Sequence, residues 1–153
     1  MRALISISNP FDVLSTSIKL KSTTLGLFDY YLARKLYFAY KENKFKNQHL
    51  FVNMDEINKC RKSILELDNI TRAKAFGFNS ANELYREISC GHYLSYIDKP
   101  FLIIYARDDI IVRDADIPKV DLLANQNCLY LESDYGGHCD FFIEKDNHLL
   151  NGK

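Results

Sequence analysis

Three observations on the sequence predict an α/β domain organised around parallel strands. Residues 101–106, FLIIYA, form a continuous apolar run of the kind expected for a strand buried on both faces of a mainly parallel sheet. From Phe101 onward the pattern runs strand, loop, helix, strand, loop, which is the order of a right-handed parallel crossover. A further apolar and β-branched run, ALISIS at residues 3–8, stops at Asn9-Pro10 and reads as a buried strand ended by a turn.

Helices fill the interval between the first strand and the second. In LGLFDYYLARKLYFAY, residues 25–40, Leu25, Phe28, Leu32 and Leu36 recur at spacings near three and four, which predicts an amphipathic helix. Its unusually aromatic surround needs a cover. DEINKCRKSILELD, residues 55–68, reads as one helix with acids at its start, where the helix dipole favours them. Ser80 and Glu83 make a capping-box pattern, in which each side chain satisfies the other's backbone donor, and so open a helix through about Ile88. Pro118 suits the first turn of a helix in PKVDLLAN, and CLYLE at residues 128–132 is the last strand. That strand runs into SDYGGHCDFF, whose paired glycines permit a tight turn and close backbone approach around His138.

Composition narrows the function classes. The 20 basic and 20 acidic side chains cancel, and the basic ones are scattered without a reading-helix pattern, which argues against nucleic acid as a partner. Residues 1–76 carry 13 basic and 7 acidic groups and residues 77–153 the reverse, a split that suits packing of the two halves. The cysteines, at 60, 90, 128 and 139, form no CxxC pair, so neither a disulfide framework nor a zinc site is expected. No apolar run reaches the roughly 18 residues that a membrane span needs, and the chain as given reads as cytoplasmic.

Parallel strands joined by a right-handed crossover put both following loops at the same edge of the sheet, where ligands and catalytic groups of open α/β sheets gather. Asp108 or Asp109 then lies beside His138. A carboxylate there fixes the imidazole tautomer and stabilises the imidazolium formed when the ring takes a proton from a nucleophile.

FLIIYARDDIIV followed by LYLESDYGGHCDFF resembles the end of an α/β-hydrolase. More narrowly it is similar to the family of bacterial YheT-type hydrolases, plant embryogenesis-associated EMB8 proteins and animal ABHD1/ABHD3-type lipid hydrolases. ISISNPFD, FGFNSANELYREIS and DKPFLII extend the resemblance over most of the chain, with residues 20–60 matching least. The resemblance implies a partial α/β-hydrolase fold in which residues 1–153 are the C-terminal part and residues 20–90 the helical cap region. It makes His138 the catalytic histidine. Asp109 becomes the catalytic acid, because the family places its acid directly before a pair matched here by Ile110-Ile111, and Asp108 shapes the turn.

The hydrolase nucleophile is the serine of a G-x-S-x-G elbow that precedes the acid and histidine in chain order. Glycines at 26, 77, 91, 136, 137 and 152 make that motif in no register. Without the serine and its oxyanion donors, this chain alone is expected to be inactive. Cys139 and Cys90 are poor substitutes, since neither sits on a strand-to-helix elbow, and no cofactor or metal is expected. Two functions follow from the resemblance. One is the C-terminal part of a carboxylesterase or lipase acting on acyl esters such as acylglycerols or phospholipids, with membrane association supplied by an upstream segment. The other is a non-catalytic remnant or binding module whose three strands need a partner chain to complete the sheet.

Overall fold

The computed structural model describes residues 2–42, 53–145 and 148–151, and divides the chain into two compact units. One unit comprises Met1–Asp12 and Ser89–Lys153, the other Val13–Ile88.

The first unit is built on strands β1 (Leu4–Ile7), β2 (Phe101–Ala106) and β3 (Cys128–Ser133), ordered β1-β2-β3 and all parallel. Registers run from Leu4 opposite Phe101 and from Phe101 opposite Cys128. Because side chains alternate across a sheet, Phe101, Ile103 and Tyr105 share one face. There they are buried with Phe11, Leu94, Val112, Ile117 and Leu122. The opposite face carries Ile5, Leu102 and Leu129 in one row and Ile7, Ile104 and Leu131 in the next.

This second face corrects the expectation that FLIIYA is covered on both sides. Leu102 and Ile104 are only half-buried, while Ile5 is 64% and Leu129 59% exposed. The residue types suit a doubly covered strand, but one face is left largely open. β1 has no strand neighbour on its outer side among the described residues. After the histidine loop, Phe142–Lys145 and His148–Asn151 pair antiparallel as β4 and β5, two strands that the sequence analysis does not anticipate.

The second unit is helical: α1 (Val13–Ser22), α2 (Leu27–Glu42), α3 (Met54–Lys59), α4 (Ile64–Ile70), α5 (Arg72–Ala75) and α6 (Ala81–Glu87). Helix α1 lies in a stretch without a clear apolar stripe, and a 3-10 turn at Thr23–Gly26 separates it from α2. Leu25 sits in that turn at φ 55° and is exposed, so it does not open the helix. The buried positions of α2 are Asp29, Ala33 and Tyr37, one residue round from the stripe that Phe28, Leu32 and Leu36 suggest. Asp29 explains the offset: its Oδ1 accepts a hydrogen bond from the Ile64 backbone N–H at 3.0 Å, which draws a carboxylate into the packed face. The aromatic surround stays partly exposed, with Arg34 over the Tyr30 and Phe38 rings and Lys35 over Tyr31.

The helix expected over residues 55–68 is broken. Cys60 ends α3, and Ser63 is extended at φ −142° and ψ 140° before α4 begins. The Asp29 carboxylate stabilises this restart by taking an N–H that a new helix leaves without an intrahelical partner. The capping box forms by half. Ser80 Oγ accepts from Glu83 N, but Glu83 Oε2 accepts from the backbone and side chain of Asn79. Asp68, fully buried, is paired with Arg72 and accepts from the Tyr85 hydroxyl. Burial and the neighbouring carboxylate push the Tyr85 phenol well above its ordinary range, so it remains a donor.

Candidate active site

β2 and β3 deliver their following loops side by side, because Ala106 lies opposite Ser133 in the parallel register. Helix α7 (Lys119–Ala124) connects them after a 3-10 turn at Asp114–Asp116. The Tyr105 hydroxyl donates to the Val112 carbonyl at 3.2 Å and closes the base of the first loop. Burial, then the acids around it, push the Tyr105 phenol up, which keeps that donor protonated.

Asp109 has no side-chain exposure. Its Oδ1 accepts from the backbone N–H groups of Ile111 at 2.7 Å and Val112 at 3.0 Å, an Asx-type turn that holds the carboxylate still. Its Oδ2 lies 2.9 Å from His138 Nδ1. A carboxylate oxygen only accepts, so Nδ1 is the donor in this contact. The His138 side chain is 36% exposed, against none for its partner. The arrangement is a buried, hydrogen-bonded carboxylate beside a partly exposed imidazole.

Asp108 does the neighbouring work. Its Oδ1 accepts from the Gly137 N–H at 2.8 Å and ties the histidine loop to the acid loop. The two glycines have different reasons. Gly137 is at φ 51°, where a side chain is disfavoured. A Cβ on Gly136 would lie 2.6 Å from the Phe141 ring and 3.1 Å from Ala106 Cβ, so only glycine lets the loop pass that close.

Two further residues adopt the left-handed region without being glycine: Cys139 at φ 70° and Ser8 at φ 49°. Ser8 follows β1, is 2% exposed and donates its N–H to the Ile104 carbonyl. Its Oγ accepts from the Cys139 backbone N–H at 3.2 Å. Reading the sequence did not single out Ser8. The available signal was a small hydroxyl residue at the end of a strand, directly before an Asn-Pro turn.

The remaining candidates disperse. Cys90 Sγ accepts from the Asn9 amide at 3.0 Å and is engaged in packing the loop after β1. Cys139 is exposed. Among the described residues no serine or cysteine side chain is hydrogen-bonded to His138, and no group of three or more His, Cys, Asp or Glu is placed to hold a metal ion. No described helix is long and apolar enough to cross a membrane.

Comparison with known proteins sets this geometry in context. The chain is 30% identical over 151 residues to a monoacylglycerol lipase of Saccharomyces cerevisiae, a match that covers 92% of this chain and 32% of that protein. It is 29% identical over 153 residues to an abhydrolase domain-containing protein of Dictyostelium discoideum, covering 99% of this chain and 38% of that one. Over 82 residues, 52% of this chain and 19% of the relative, it is 34% identical to human monoacylglycerol lipase ABHD2. It thus spans about a third of the length of the first two relatives. No family model matches the chain, and no solved structure matches it significantly. A three-stranded parallel sheet flanked by helices is a partial α/β-hydrolase fold, and with these relatives it shows that the chain belongs to the α/β-hydrolase family.

Proposed function

We propose that residues 1–153 act as the C-terminal part of a serine hydrolase for carboxylic esters, of the acylglycerol or phospholipid class. The observation that carries this reading is the 2.9 Å contact between buried Asp109 and accessible His138 at the C-terminal ends of parallel strands. The lipase names of the relatives support a lipid ester as substrate.

In this reading the nucleophilic serine and the oxyanion donors come from polypeptide outside these 153 residues, since the sequence holds no G-x-S-x-G. His138 Nε2 takes the proton of the serine hydroxyl as its oxygen attacks the ester carbonyl. Asp109 holds the ring in the required tautomer and stabilises the imidazolium. His138 then returns the proton to the departing alcohol, and the same two steps with water in place of serine release the acid. Residues 20–90 serve as the helical cap region, and upstream polypeptide supplies any membrane association.

A second reading, a non-catalytic module whose sheet is completed by a partner chain, is favoured by the exposed row of Ile5, Ile7, Leu129 and Leu131. Fluorophosphonate labelling separates the two. Purified residues 1–153 should not label. A longer native product carrying an upstream G-x-S-x-G should label at that serine, and His138→Ala in it should lower ester turnover by about four orders of magnitude or more. Labelling of residues 1–153 alone, or full turnover by the histidine variant, would sink the assignment.

A further inference from the structure

We propose that the helical unit carries a binding site for an anionic amphiphile, a phosphate or carboxylate headgroup on an alkyl chain, in a cavity between α1, the turn before α4, and α6. The cavity has a volume of about 470 Å³. That is within the size range of small-ligand pockets. It lies wholly within Val13–Ile88 and involves neither Asp109 nor His138.

Charge selects the headgroup. Lys21 and Arg86 both line the cavity, and no carboxylate does. Neither cation makes an ion pair among the described residues. Two cations on one cavity wall without a carboxylate make its lining positive, whereas Arg72 and Lys74 in the same unit are paired with Asp68 and Glu56.

An independent observation points the same way. Ser63 lines the cavity, is 4% exposed, and its hydroxyl has no hydrogen-bond partner among the described residues. At the position before a helix, a serine oxygen usually accepts one of the first backbone N–H groups. Ser63 makes no capping bond. Its O–H is therefore a buried donor in want of an acceptor. An oxyanion supplies one. Asp29 does not line the cavity, and its Oδ1 accepts from the Ile64 backbone N–H.

The walls select the rest of the ligand. Leu14, Ile18 and Leu65 add apolar surface beside the polar groups, and Ile18 is largely exposed. Covering it gives an alkyl chain a hydrophobic contribution that a free inorganic anion lacks.

The test is a titration of the full chain, followed by amide NMR, with decyl phosphate below its micelle concentration, inorganic phosphate and decyltrimethylammonium. Decyl phosphate should bind and shift the amides of Lys21, Ser63 and Leu65, and at least tenfold more tightly than either other probe. Lys21→Gln with Arg86→Gln, both surface changes, should weaken it at least tenfold, and Ser63→Ala should weaken it several-fold. Binding of the cationic amphiphile as tight as that of decyl phosphate, or undiminished binding by the double variant, would overturn the proposal. Inorganic phosphate binding as tightly as decyl phosphate would overturn its amphiphile half. Should Ser63→Ala fail to fold, the Lys21 and Arg86 pair still decides the matter. Because no turnover is read, failure here leaves the roles of Asp109 and His138 untouched.

Discussion

Asp109 has both carboxylate oxygens committed, one to the backbone N–H groups of Ile111 and Val112 and the other to His138. It therefore serves two ends at once, holding its own loop and orienting the imidazole. Replacing it with alanine strands two backbone donors, of which Val112 is in a buried residue. Each stranded donor costs about 1–3 kcal/mol. Asp109→Ala should thus lower stability by a few kcal/mol, whereas Asp109→Asn keeps an acceptor at the same place and should lose clearly less. Urea unfolding of the two variants is the check, and equal losses would show that the oxygen toward Ile111 and Val112 contributes little. The sequence narrowed the acid to two neighbours and the family pattern chose between them. What it could not show is that Asp108 holds the Gly137 N–H, since that depends on how closely two loops distant in sequence approach.

At the scale of elements, β3 is anchored through Glu132. Its carboxylate is paired with Arg107 after β2 and with Lys119 of α7, and accepts from the Tyr130 hydroxyl. The Lys119 hydrogen bond first, then that of Tyr130, hold the Glu132 carboxyl down at about 2 against the opposing effect of burial. The folded value lies below the ordinary 4.5, so this stabilisation is complete above pH 4.5 and is lost as pH falls through about 2. Glu132→Gln should therefore lower the urea midpoint near neutrality, with a gap to the native chain that closes on acidification across that window. A gap of constant size down to about pH 2 would assign the loss to packing instead of charge. Element legibility divides along the same lines. β2, β3 and α6 read well because each is marked by its own contiguous residues: an apolar run for β2, CLYLE for β3 and the Ser80 cap for α6. The break at residues 60–63 did not, because the group that stabilises it is Asp29, on another helix.

For the whole molecule, the open sheet face is the governing feature. Ile5, Ile7, Leu129 and Leu131 are exposed on one sheet face with half-buried Leu102 and Ile104 between them, and the outer edge of β1 has no strand partner among the described residues. Contiguous apolar surface on an unpaired edge promotes association. Purified residues 1–153 should self-associate at micromolar concentration, and Ile5→Lys with Leu129→Lys should shift the sedimentation profile toward monomer. Unchanged association in the double variant would move the cause away from this face.

The sequence by itself determined the parallel strands, the order of loops along them, and the acid and histidine candidates. These follow from local periodicity, turn chemistry and the handedness of crossovers, all of which are written in contiguous residues. Only the tertiary structure decided that β2 is covered on one face, that Ser8 reaches the Cys139 backbone across the sheet, and that Ser63 is left as a buried donor. Each of those depends on which distant group arrives first at a shared hydrogen-bond partner or an apolar surface, and spacing along the chain does not record that.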